Sequence, residues 1–228
     1  MTSLPVDAVL FDLDGTLLHT SLDISAAANA ALAECALPAI ADRVVESFIG
    51  RGIEALVKRC FAHLGLAQEG AGFEAFHAAF MRHYERLNGR VATAYPGVIA
   101  GLEAMRAAGL KLGVCTNKSA AFTRPLLERT GLAGYFSVVV SGDTLPRKKP
   151  EPDMLLHAAA QWGVAPARML MIGDSRNDAA AARAAGCPVW LVPYGYNEGE
   201  PVEALDCDGF VSGLDDAARR IFAGVTRG

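Results

Sequence analysis

The run Val9-Leu10-Phe11-Asp12-Leu13-Asp14-Gly15-Thr16 is an apolar, strand-like segment that stops in two carboxylates and a turn. An extended backbone sends side chains i and i+2 to one side, so Asp12 and Asp14 leave the strand tip toward one small volume. At about 5 Å and an effective dielectric of about 20, two such anions repel by roughly 3 kcal/mol, so the pair calls for a metal ion, a shared proton or a lysine. Gly15 frees the backbone to turn. These residues alone equally describe a polar turn after a buried strand, because Asp and Gly dominate turns for steric and hydrogen-bonding reasons. Three further polar constellations decide between the two readings.

After Leu112-Gly113-Val114-Cys115 comes Thr116-Asn117-Lys118-Ser119, leading into a helical pattern. A hydroxyl, an amide and unpaired helix-start N–H groups can together hold a phosphoryl oxygen, helped by the helix dipole. Taken singly, Thr116 or Ser119 is an ordinary helix N-cap. The stretch from Ser141 to Pro152 sets Arg147, Lys148 and Lys149 beside Pro150 and Pro152, whose rigidity can aim a lysine inward. A compact ammonium there offsets clustered carboxylates and neutralises charge on a transferring phosphoryl group. Lys148 fits a solvated charge ahead of a helix. Finally, Met169-Leu170-Met171-Ile172-Gly173-Asp174 repeats the opening logic, with Asp178 four residues on. Asp174 is placed as a hard oxygen ligand, and Asp12 with Asp174 meets the needs of Mg2+, which takes one or two carboxylates, several waters and substrate phosphate. Asp178 supports those ligands from behind.

The elements that must position these residues follow a parallel α/β pattern. Short β-branched-rich runs at 6–11, 110–115, 136–140, 169–172 and 189–192 alternate with helical patterns at 97–108, 120–130, 152–162 and 177–185. Gly109, Gly131, Gly163 and Gly186 stand where C-terminal caps belong. The expected fold is a doubly wound, Rossmann-like parallel sheet. Residues 17–94 depart from it, with helical periodicity at 24–35, 53–63 and 73–87 and no convincing strand. They read as an inserted α-helical cap, leaving 1–16 and 95–228 as a discontinuous core, because such a length exceeds a simple crossover. The insertion follows the first strand tip, above the carboxyl ends of the sheet, where ligands of open α/β folds bind. The alternative is a crossover with extra helices on the sheet face.

A chain of 228 residues with 52% hydrophobic content can bury a sizeable core. A net charge of -4 without a basic stripe argues against a nucleic-acid partner. No uninterrupted apolar run of about 18 residues argues for a membrane span. Five cysteines without close Cys-x-x-Cys spacing read as buried free thiols in a reducing compartment, the cytoplasm. The four histidines beyond His19 lack H-E-x-x-H spacing, and neither a P-loop nor a Gly-x-Ser-x-Gly elbow is present. The expected partner is a small molecule.

At these motifs the sequence resembles the haloacid dehalogenase superfamily, and within it is most similar to the phosphoglycolate phosphatases. Asp12-Leu13-Asp14-Gly15-Thr16 looks like the nucleophile motif, Thr116-Asn117 like the second motif, Lys149-Pro150 like the lysine motif, and Gly173-Asp174 with Asp178 like the acidic metal motif. Gly142-Asp143-Thr144-Leu145-Pro146 and Tyr194-Gly195-Tyr196-Asn197 carry the narrower similarity. The resemblance implies that Asp12 attacks phosphorus to form an aspartyl-phosphate, and that Asp14 serves as general acid and then base. It implies Mg2+ on Asp12, Asp174 and the Asp14 backbone carbonyl, with Thr116, Asn117 and Lys149 on the phosphoryl group. Two positions depart from the pattern: His19 stands where an acidic residue is common, and Arg51, in Gly50-Arg51-Gly52, where asparagine is frequent. A guanidinium suits a carboxylate, so Arg51 or its neighbouring backbone is expected to reach that group of the substrate; a surface arginine near a helix start is the alternative. Competing readings are a same-mechanism phosphatase for a sugar or amino-sugar phosphate, a phosphonate hydrolase with a Schiff-base Lys58, and a noncatalytic phosphoacceptor module.

Overall fold

The computed structural model describes residues 6–199 and 201–223. The chain opens with β1 (Ala8–Phe11) and, past the Gly15 turn, β2 (Leu18–His19). Four helices follow: α1 (Ser21–Glu34), α2 (Asp42–Glu46), α3 (Ile53–His63) and α4 (Ala71–Leu87). The chain returns through β3 (Thr93–Ala94) into an alternation of α5 (Val98–Ala107), β4 (Lys111–Cys115), α6 (Ala120–Arg129), β5 (Val138–Val140), α7 (Asp153–Trp162), β6 (Met169–Gly173), α8 (Arg176–Ala185) and β7 (Val189–Leu191). It closes with β8 (Gly209–Phe210) and α9 (Leu214–Ala223).

Six strands form one parallel sheet in the order β5-β4-β1-β6-β7-β8. Strand β1 is fully buried, and its side chains divide by the strand's period of two. Val9 and Phe11 enter one apolar layer with α5, α6 and α9, whereas Ala8 and Leu10 enter the other with α7 and α8. That two-sided burial is why the strand reads as a continuous apolar run. The parallel α/β core is therefore as expected from the sequence. Gly163 and Gly186 end α7 and α8 in the left-handed conformation.

Helices α1 to α4 gather a third apolar cluster, which Phe122 of α6 and Tyr196 join. Phe61, Phe76, Phe80 and Tyr84 pack there against Ala27, Ala28, Ala31 and Leu32, and the alanines let α1 lie close to α4. The Phe61 and Phe76 rings stack at 5.1 Å. Each buried aromatic of this kind contributes about 1.5–3 kcal/mol of transfer free energy.

Where these helices leave and rejoin the sheet domain, β2 and β3 pair antiparallel, Leu18 with Ala94 and His19 with Thr93. This corrects the reading of 17–94 as strandless; strands of two residues carry no alternation to detect. Asp23, buried at the start of α1, accepts the N–H groups of Gly89, Val91 and Ala92 at 2.9, 3.1 and 3.1 Å. It thereby holds the start of α1 against the segment that leads from α4 into β3. Among the described residues, no helix is long and apolar enough to cross a membrane.

Candidate active site

Strands β4, β1 and β6 are neighbours, with Phe11 in register with both Val114 and Ile172. Their carboxyl ends therefore deliver Asp12, Thr116 and Asp174 to one point, where the strand order reverses. The Asp12 N–H donates to the Ile172 carbonyl at 2.9 Å, which extends the ladder by one residue and fixes the tip. Gly15 turns with φ +91°, and a Cβ there would stand 2.4 Å from Asp174 Oδ2. The glycine is needed both for its conformation and for the approach of the second carboxylate.

Lys149 lies at the centre, its side chain 2% exposed. Its Nζ donates to Asp12 Oδ1 at 2.8 Å, to Asp178 Oδ1 at 2.6 Å and to the Cys115 carbonyl at 2.6 Å. Burial opposes its charge, but the Asp12 and Asp178 carboxylates outweigh burial and hold its pKa above the ordinary lysine range. The expectation that rigid backbone turns one lysine inward is met by Lys149. Lys148 is not simply solvated: its Nζ donates to the Arg51 carbonyl at 2.8 Å.

Asp12, Asp174 and Asp178 present carboxylate oxygens within 4.8 Å of one another. Burial, then the neighbouring carboxylates, push Asp12 up to about 6 despite Lys149, and push Asp174 well above the usual carboxylate range. One ammonium against three buried carboxylates leaves an excess of negative charge, and an all-oxygen donor set suits a hard divalent cation. Asp178 has both oxygens occupied: Oδ2 accepts the Asp174 and Ser175 N–H groups and the Ser175 hydroxyl, forming a capping box at the start of α8. It holds the lysine and the turn behind Asp174. Asp174 is itself fixed by the Thr16 hydroxyl at 2.9 Å and the Tyr196 N–H at 2.5 Å.

Asp14 lies beside Asp12 on the same cavity, yet its partner is a different lysine. Lys118 Nζ lies 2.9 Å from each of its carboxylate oxygens, and the Thr20 hydroxyl donates to Oδ1 at 2.7 Å. The sequence reading gave Lys118 no separate role; a buried lysine and a surface lysine carry the same local signature. Thr116 is buried and lines the cavity, with its hydroxyl accepting the Lys118 N–H at 3.2 Å. Ser119 occupies the N-cap position of α6, but its side chain makes no capping hydrogen bond; the Ala120 N–H goes instead to Asp143 Oδ1 at 2.8 Å.

Two expected binding residues sit differently. Asn117 lines the cavity, but its amide N–H groups donate to the carbonyls of Gly50 and Lys149, both at 2.9 Å. It ties the loop before α3 to the lysine loop. The guanidinium of Arg51 is not brought to the cavity; it is half exposed, and its Nε donates to Glu198 Oε1 at 2.9 Å. Arg59 reaches the other oxygen of Glu198 at 2.5 Å, so this carboxylate draws Arg51 outward while Gly50 and Gly52 line the cavity with backbone. Tyr196 is a further participant: its hydroxyl accepts the Thr20 and Ser21 N–H groups at 2.8 and 2.9 Å, satisfying the first turn of α1.

The parallel α/β sheet gathers Asp12, Lys149 and Asp174 at one switch point, and the chain belongs to the haloacid dehalogenase-like hydrolases, matching that family over residues 9–192. Among its relatives, the phosphoglycolate phosphatase of Thiobacillus denitrificans is 47% identical, covering 94% of this chain and 95% of the relative. The phosphoglycolate phosphatase of Nitrosospira multiformis is 48% identical over 96% of each chain. The crystal structure of a predicted phosphoglycolate phosphatase from Haemophilus somnus superposes with a TM-score of 0.90 at 31% identity, covering 94% of this chain and 97% of that one.

Proposed function

We propose that this chain is a magnesium-dependent phosphomonoesterase that hydrolyses 2-phosphoglycolate to glycolate and phosphate. The observation that carries the reading is the buried group of Asp12, Lys149 and Asp174 at the sheet's switch point, with Asp14 on the same cavity. The names of the relatives at 47 and 48% identity support the substrate.

Asp12 attacks phosphorus, forming an aspartyl-phosphate while the bond to the leaving alkoxide breaks. Asp14 gives a proton to that alkoxide and later removes one from the water that cleaves the acyl phosphate. Lys149 and Thr116 stabilise the transferring phosphoryl group, and Asn117 acts by holding the lysine loop. Asp12 and Asp174, with the Asp14 backbone carbonyl, would hold magnesium, whose charge screens the phosphate dianion from the nucleophile. Residues 17–94 act as a cap that excludes bulk water from the core formed by 1–16 and 95–228. All five cysteines are free thiols, Cys60, Cys115 and Cys187 buried but Cys35 and Cys207 only half-buried, which fits a reducing compartment, and we place the reaction in the cytoplasm.

A Schiff-base role for Lys58 is disfavoured, since its side chain is 44% exposed and its ammonium is paired with Glu54 at 2.7 Å, away from the cavity. The test is phosphate release from 2-phosphoglycolate, sugar phosphates, amino-sugar phosphates and phosphonates, with magnesium and with chelator. A large magnesium-dependent preference for 2-phosphoglycolate in kcat/KM is expected. Preference for a larger phosphate refutes the substrate, and no turnover of any phosphoester refutes the enzyme.

A further inference from the structure

The cavity that begins at Asp12 and Asp14 continues under the inserted helices, where its wall is mostly hydrocarbon from Ile24, Ile49, Ile53, Leu56 and Phe80. Two polar groups are set into that wall. Lys118 is 5% exposed, and its Nζ lies 5.0 Å from the ring centroid of Tyr84. Tyr84 is 1% exposed, and its hydroxyl interacts with the Lys118 ammonium without a well-aligned hydrogen bond. A buried hydroxyl without a well-aligned hydrogen bond is costly and uncommon, so its place on the cavity wall leaves it able to pair with a ligand.

The two lysines differ in what remains to them. Lys149 directs its ammonium at Asp12, Asp178 and the Cys115 carbonyl, which accounts for all three of its N–H donors. Lys118 lines the cavity and directs two contacts at the single carboxylate of Asp14, its other neighbour being Tyr84, a weaker partner than a second carboxylate. In a hydrocarbon-lined space an anion binds only where a cation or several donors meet it. The ammonium over an aromatic face, next to the Tyr84 hydroxyl, forms such a place.

We propose that Lys118 and Tyr84 form the specificity site for an anionic group, a carboxylate, on the leaving alcohol of the substrate. This rests on the reading of Asp12 as nucleophile and Asp14 as general acid. The leaving oxygen must lie against Asp14 to receive its proton, and Lys118 Nζ is 2.9 Å from that carboxylate. In 2-phosphoglycolate the carboxylate carbon is only two bonds from the leaving oxygen, so it falls beside the same ammonium. Arg51, the residue that sequence alone favours for this task, is held outward by Glu198. The site selects by charge and reach: a phosphoester whose alcohol bears an acid close to the ester oxygen fits, and a neutral alcohol leaves Lys118 without its second anion.

The experiment compares 2-phosphoglycolate with ethylene glycol monophosphate, which keeps the backbone and lacks the carboxylate, in the wild type, Lys118→Met and Tyr84→Phe. Lys118→Met is expected to lower kcat/KM for 2-phosphoglycolate at least about 30-fold more than for the neutral ester, given the strength of charge-assisted contacts. Tyr84→Phe, which removes only one oxygen, is expected to narrow the same ratio by about 3- to 10-fold and keeps the test decisive should Lys118→Met not fold. Glycolate is expected to inhibit the wild type competitively and each variant more weakly. Equal losses on both substrates, with glycolate inhibition unchanged, would mean that Lys118 acts only on Asp14 and overturn the proposal. If the wild type instead prefers another phosphoester with an anionic alcohol and the variants erase that preference, the site stands and the phosphoglycolate reading falls. If the wild type prefers neutral alcohols, the site falls while the phosphatase reading stands.

Discussion

Replacing Lys149 by Met removes the ammonium that faces both Asp12 and Asp178 while keeping a side chain of similar length. In the wild type those contacts are 2.8 and 2.6 Å, with the lysine side chain 2% exposed. Deleting one partner of a buried ion pair costs about 3–5 kcal/mol, because the remaining charge is left without compensation. The carboxylates recover part of that cost by taking a proton. Burial already places Asp12 at about 6 with Lys149 present, and losing the lysine's attraction moves it higher. The folded variant then holds a proton that the unfolded chain releases near the ordinary aspartate value. Its stability is therefore lost as pH rises from about 4 through the raised value, so the variant is more stable at about pH 6 than at about pH 8. For a chain of this length each kcal/mol moves Tm by about 2–4 °C, which gives a fall of about 6–20 °C at about pH 8 in chelator and a smaller one at about pH 6. Phosphate release falls by about 10³-fold or more. Thermal melts of both proteins at the two pH values decide it: a variant within about 2 °C of wild type at both would refute the central, charge-neutralising place given to Lys149.

Three further outcomes are expected. Magnesium raises Tm in the metal-free protein, and the rise shrinks as pH is lowered through about 6, where protons compete for Asp12; equal shifts at about pH 5 and 7.5 would contradict the shared site. Asp23→Ala strands three backbone N–H groups, from Gly89, Val91 and Ala92, and should cost about 3 kcal/mol or more in a denaturant titration; a change under about 0.5 kcal/mol would remove its role at the junction. Arg51→Ala deletes a half-exposed pair worth about 0–1 kcal/mol and should alter the preference for 2-phosphoglycolate over a neutral ester by less than about 2-fold, measured as a ratio of kcat/KM.

The core was legible because its signals are local. Strand tips after β1, β4 and β6 announce Asp12, Thr116 and Asp174 by an apolar run that stops in polar residues, and helix ends are marked by Gly163 and Gly186. Helix α9 and strand β8 went unread: the strand has two residues, and the helix follows the last strong apolar run. What escaped at the site depends on partners far along the chain. Lys118 and Asp14 are 104 residues apart, Tyr196 and Thr20 are 176, and Arg51 and Glu198 are 147. Nothing in the composition around Arg51 says that a carboxylate from the loop after β7 will draw it away from the cavity. Asp23 reads as a first-turn acidic residue, and only the fold turns it into the clasp between the start of α1 and the segment that leads from α4 into β3.

The central claim is that Asp12 carries the phosphoryl group during turnover. The most direct measurement is an acid quench of the enzyme with phosphorus-labelled substrate, followed by peptide mapping and mass spectrometry. The label should reside on the peptide containing Asp12, and Asp12→Asn, with deamidation excluded, should neither label nor turn over. Wild-type turnover by that variant, or label confined to another residue, would contradict the account.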